Sequence, residues 1–182
     1  LTERTDADWV IVLDCLLVGM GERYDVTVTL TASAHSSVSP REKDALARAL
    51  IRTGVGSAPN SNFLPGELTG RPVQVGDLQP REDVRVPARA PDHEFGLRLR
   101  GGMMSYHWAI DGAGPDPESP LTVRQGERVR MSLSYDSMMW PPMHVHGHTF
   151  AVGPAGAPKD TVAVLPGQTV VWDFDANNPG SG

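Results

Sequence analysis

The sequence predicts an all-β protein: a Greek-key β-sandwich in its second half, preceded by part of another β domain, one short helix and a long linker. Three observations predict it. Short runs of alternating apolar residues recur every 8–14 residues or so. Glycine (19) and proline (16) are abundant while aromatic residues make up only 6% of the chain, which suits many turns and few long helices. Turn dipeptides, among them Asp111-Gly112 and Pro166-Gly167, fall between the runs.

In chain order, Val10 to Val18 is apolar and Asp25 to Thr31 alternates, with Val26, Val28 and Leu30 on one face. The intervening Gly-Met-Gly-Glu-Arg-Tyr-Asp marks a turn between two strands of a sheet. Ser39-Pro40-Arg41-Glu42 has the form of a helix start, with a capping serine, a proline in the first turn and a glutamate to close a capping box. Good helix formers continue to Arg52 and Gly54 can end the run, so one short helix is expected there. Residues from Gly54 to about Asp92 are rich in glycine and proline without periodicity, as in an extended linker lying over the surface between two domains; Arg81 to Arg89 could add a marginal strand.

The rest reads as strands. Phe95, Leu97 and Leu99 alternate, as do Tyr106, Trp108 and Ile110. Leu121 to Val123 precedes a turn at Arg124 to Glu127, after which Val129, Met131, Leu133 and Tyr135 share a face. Met143 to Val152, Lys159 to Leu165 and Thr169 to Phe174 complete the set.

The 182 residues suffice for one domain and part of a second. Sixteen basic and twenty-two acidic residues give a formal net charge of −6, which argues against a nucleic-acid partner because phosphate binding needs a concentrated basic face. No apolar run reaches the 18 or so residues of a membrane span, and Leu1 to Val10 lacks the pattern of a signal peptide. The single cysteine, Cys15, excludes an internal disulfide and a cysteine-rich zinc site; in its apolar run it reads as a small buried hydrophobe.

The chemistry concentrates in Trp140-Pro-Pro-Met-His-Val-His-Gly-His-Thr-Phe150. On a strand, residues two apart face the same way, so His144, His146 and His148 are expected on one side, about 7 Å apart along the backbone. That spacing serves adjacent metal ions more easily than it chelates one. Gly147 leaves room for another backbone or a ligand. Imidazole suits copper, zinc, iron and nickel alike, so spacing alone names no metal.

Met-Met-Trp-Pro-Pro-Met-His-Val-His-Gly-His-Thr-Phe (138–150) resembles the histidine-rich strand in the third domain of three-domain, laccase-like multicopper oxidases, usually H-P-x-H-x-H-G-H-x-F. The flanks agree. Leu16 to Val26 is similar to the end of the second domain, Gly101 to Gly112 and Pro120 to Met131 to the start of the third, and Ala157 to Gly180 to the two strands before the final copper motif.

The resemblance implies a cupredoxin-like fold, with residues 1–54 the end of the second cupredoxin domain, 55–92 the interdomain linker and 93–182 the third domain without its last copper-binding strand. It implies copper as cofactor, His144 as a type 2 ligand, His146 as a type 3 ligand, and His148 as a supporting residue rather than a ligand. The implied reaction is oxidation of phenols or cuprous ions coupled to reduction of dioxygen to water, in a periplasmic or secreted protein. Pro141 stands where the family has a histidine of the blue-copper site, and proline offers no nitrogen donor. The family's H-C-H segment would begin beyond Asn178-Pro179-Gly180, so its ligands, and those of a first domain, are expected from the remainder of the oxidase. A non-catalytic copper-binding or interaction module, or a half completed by another polypeptide, are the competing expectations.

Seven methionines include the pairs Met103-Met104 and Met138-Met139. Thioethers bind cuprous ions, but methionine also fills cores, and packing is the expectation here. Trp140 is expected to pack, His93 and His107 to lie at the surface or in hydrogen bonds, His35 in a polar loop, and Asp111 to Glu118 in a loop without calcium spacing.

Overall fold

The computed structural model describes residues 2–4, 10–12, 15–27, 35–38, 47–50, 57, 60, 63, 66, 70–102, 105–110, 121–136, 138–153 and 156–179. The expected capping box at Ser39, the pair Met103-Met104 and the acidic loop Asp111 to Glu118 lie outside them.

β1 (Thr2–Arg4), β2 (Val10–Val12) and β3 (Asp25–Thr27) form an antiparallel sheet in the order β2-β1-β3. The two expected strands therefore share a sheet, but with Thr2–Arg4, which no pattern marked, between them. A hairpin of β4 (His35–Val38) and β5 (Ala47–Leu50) follows. This corrects two expectations: Ala47–Leu50 is a strand rather than the end of a helix, and His35 opens a strand rather than lying in a loop. A helix of the expected length is marginal unless one face packs, and propensity differences of a few tenths of a kcal/mol per residue yield to a partner strand.

The described residues of the expected linker are fastened to those before them. Val73 bridges Leu16 in parallel, accepting from Leu17 N at 3.2 Å and donating to Cys15 O at 2.9 Å. Leu78 is buried and Val75 packs against the main core. Arg81 to Arg89 is not a strand: Glu82–Val84 makes a 3-10 turn, and Arg81 closes on the Asp83 carboxylate two residues on, at 2.9 and 2.8 Å. Pro80 precedes the segment and Pro87 lies within it, and neither has an N–H to give a ladder.

The second half is built from β6 (His93–Gly102), β7 (Ser105–Ile110), β8 (Arg128–Tyr135), β9 (Pro142–His144), β10 (Phe150–Val152), β11 (Ala157–Lys159), β12 (Thr161–Ala163) and β13 (Thr169–Asp175). Six of them form one sheet, in the order β11-β10-β13-β8-β6-β7; β9 and β12 pair as a small second sheet. The chain leaves the large sheet after β8, enters the small one as β9, returns as β10 and β11, crosses again as β12 and comes back as β13 between β10 and β8. These crossings make the sandwich. Burial alternates as the sequence pattern requires: Val129, Leu133 and Tyr135 from β8 and Trp172 and Phe174 from β13 meet Phe150, Val162 and Val164 in one core. Each such side chain contributes about 1.5–3 kcal/mol by leaving water. Opposite the core, Arg128 and Arg130 pair across the strands with Asp175 and Asp173.

Candidate metal centre

β9 carries the histidine segment into position. Its cross-strand partners are Thr161 for His144, Val162 for Met143 and Ala163 for Pro142. Met143 and Val145 turn inward against the core, while His144 and His146 are exposed. Pro141 lies just before the strand, its carbonyl accepting from Val164 N at 3.1 Å.

The expected single strand from Met143 to Val152 is interrupted. β9 ends at His144, and Val145 to His148 makes a tight turn closed by His148 N donating to Val145 O at 3.4 Å. Gly147 takes the third position with φ +71°, the left-handed conformation that a type II turn demands there. The three imidazoles therefore do not line one face. His144 and His146 come together, with ring centroids 5.1 Å apart and planes tilted by 55°. His148 is carried away, its ring 5.1 Å from that of Phe174 and its Nδ1–H donating to the His146 carbonyl at 3.0 Å. Its Nε2 is buried without a partner among the described residues.

The Nδ1–H of His144 donates to the Asp160 carbonyl at 2.6 Å, with the Thr161 hydroxyl oxygen 3.3 Å from the same nitrogen. A carbonyl only accepts, so this bond places the proton on Nδ1 and leaves Nε2 its lone pair. Such bonds orient metal-ligating histidines and fix their tautomer. Asp160 is in turn paired with Arg23, whose hydrogen bond holds its carboxyl below the usual carboxylate range. The other histidines lie on other strands: His35 on β4, His107 on β7 and His93 on β6, where it meets Glu127 at 3.0 Å and stacks on Phe95. Met139 packs at the edge of the core and Met138 is exposed.

Among the described residues no group of three or more histidine, cysteine, aspartate or glutamate side chains converges. Two exposed imidazoles, one with its second nitrogen already spent, are donors that suit copper, but they fill only part of a coordination sphere. Neither the anchoring carbonyl of Asp160 nor the turn at Gly147 was foreseen as part of the site. A backbone oxygen leaves no mark on residue type, though glycine beside the histidines hinted at the turn.

Residues 88–181 match the family model described as Multicopper oxidase. The chain belongs to the multicopper oxidase family. Membership makes copper the implied cofactor. It is 42% identical over 173 residues to multicopper oxidase MmcO of Mycobacterium tuberculosis, a match covering 92% of this chain and 34% of that protein. The copper resistance protein A homolog of Pseudomonas syringae pv. tomato is 41% identical over 59 residues, 32% of this chain and 10% of its own length. This member thus spans about a third or less of the length of these relatives. Among solved structures, a multicopper oxidase from Campylobacter jejuni described as a metallo-oxidase superposes with a TM-score of 0.53 at 12% identity, over 84% of this chain and 37% of that one. That likeness establishes the fold as the expected all-β, cupredoxin-like sandwich.

Proposed function

We propose that His144 and His146 are copper ligands contributed by this chain to a multicopper oxidase, the rest of the coordination sphere coming from parts of the whole protein outside these residues. In this reading residues 93–182 are the third cupredoxin domain, 55–92 the linker and 1–54 the end of the second. The observation that carries it is the approach of the two rings to 5.1 Å while His144 Nδ1 is held by the Asp160 carbonyl. When bound, copper supplies one-electron redox chemistry. The chain's own part is orientation. Met143 on β9 and Val145 just beyond it anchor the pair on the core, the Asp160 carbonyl fixes the tautomer of His144, and the Gly147 turn aims His146. For the whole protein we propose oxidation of phenols or cuprous ions with dioxygen as acceptor, in a periplasmic or secreted setting, on the family alone.

Electron paramagnetic resonance of the copper-loaded chain tests the ligand assignment. Couplings to imidazole nitrogens should be present and should diminish in His144→Ala and in His146→Ala. Couplings unchanged in both variants would exclude the pair.

Pro141 favours a second reading, a copper-binding module without turnover, because a blue-copper ligand is expected at that position. Oxygen uptake by the whole protein that contains this segment separates the two: steady uptake with Pro141 present supports the oxidase, and tight copper binding without uptake supports the module.

A further inference from the structure

We propose that the Gly19–Tyr24 turn, some 120 or more residues earlier in sequence and outside the sandwich, is a positioning clamp for His144; this rests on the reading of His144 as a ligand. Asp160 is the one residue between β11, ending at Lys159, and β12, beginning at Thr161. The direction of its carbonyl, and so the orientation of the His144 ring, depends on how that corner is held. The turn grips the side chain of Asp160 itself and that of Lys159, the residue before it. Arg23 pairs with the Asp160 carboxylate. The Lys159 ammonium lies 3.7 Å over the ring centroid of Tyr24, 3.3 Å from the Arg23 carbonyl and 3.9 Å from Glu22 Oε1.

The side chains of Lys159 and Glu22 are only 8% and 3% exposed, so this contact is inside the structure. Glu22 is itself fixed, accepting from Gly19 N at 2.6 Å and from the Tyr24 hydroxyl at 3.3 Å. Close approach is possible because Gly19 has no side chain: a Cβ there would lie 3.0 Å from Ala163 Cβ, on the strand that pairs with β9. The result is a continuous set of contacts from the turn, through Lys159 and Asp160, to the imidazole. Arg23 is 76% exposed and adds little to folding stability, so its removal disturbs the corner while leaving the fold in place.

The test is nitrogen-15 magnetic resonance of the imidazoles in the metal-free chain at about pH 8.5, where histidines are neutral, together with copper calorimetry. The native chain should hold His144 in one tautomer, protonated at Nδ1. Arg23→Ala and Glu22→Gln should give mixed tautomers and copper affinity lower by about tenfold, and Arg23→Lys should recover most of both. A single unchanged tautomer with unchanged affinity in both variants would overturn the clamp. Copper affinity that does not respond to His144→Ala would instead overturn the ligand assignment, leaving the tautomer result to decide the clamp alone.

Discussion

The side-chain amide of Asn178 fills the space that a side chain on Gly147 would occupy: a Cβ at Gly147 would lie 2.5 Å from Asn178 Nδ2, and that nitrogen donates to the Gly147 carbonyl at 3.3 Å. The residues that follow β13 are thus laid against the turn that separates His146 from His148. Gly147→Ala meets two obstacles, the positive φ and the amide. It should destabilise the chain by about 1–2 kcal/mol from the backbone conformation alone, and weaken copper binding by displacing His146. Urea unfolding and copper titration of the variant measure the two effects.

Arg128, 3% exposed, donates Nε and an Nη to the two carboxylate oxygens of Asp175 at 2.7 and 2.9 Å. That hydrogen bonding, with the charges of Arg128 and Arg89, holds the Asp175 carboxyl below its ordinary value. A carboxyl whose folded value is depressed contributes stability that is fully present above its unfolded value, about 3.9, and is lost as pH falls through the folded one. Thermal stability should therefore fall on acidification below about pH 4. Asp175→Asn should flatten that limb and, by leaving the buried guanidinium without its counter-charge, lower stability at neutral pH. Melting curves across the acid range check both.

Trp172, 2% exposed, stacks on Phe150 with ring centroids 4.7 Å apart at the centre of the sandwich. Trp172→Ala should cost about 3–5 kcal/mol, seen as a lower denaturant midpoint or, where that exceeds the chain's stability, as loss of the folded signal in near-ultraviolet circular dichroism.

Restoring histidine at Pro141 should not by itself produce an intense thiolate-to-copper absorption band. The sequence has one cysteine, Cys15, whose backbone carbonyl is engaged by Val73 N at 2.9 Å beside the Leu16–Val73 bridge. Visible spectra of copper-loaded Pro141→His, with and without Cys15→Ser, should match each other and lack the band.

Much of the second half was legible because its strands obey period-two burial: Phe95, Leu97 and Leu99 turn inward on β6, as Val129, Leu133 and Tyr135 do on β8. The pairing of His144 with His146 was legible for the same reason, and the separation of His148 was not. Period two ends where Gly147 takes a positive φ, and a glycine in a sequence does not announce which conformation it adopts. Ala47 to Leu50 misled because helix propensity carries no knowledge of a partner strand such as His35 to Val38. Asp160 escaped notice because it acts on His144 through its backbone.

Calorimetric titration of Cu(II) into the native chain and into the His144→Ala/His146→Ala double variant tests the central claim most directly. Two imidazoles held by the Asp160 carbonyl and the Gly147 turn predict a saturable site in the native chain that is lost in the double variant, with the folded circular dichroism spectrum retained in both. Equal copper affinity in the two proteins would contradict the account and move the copper site to other residues.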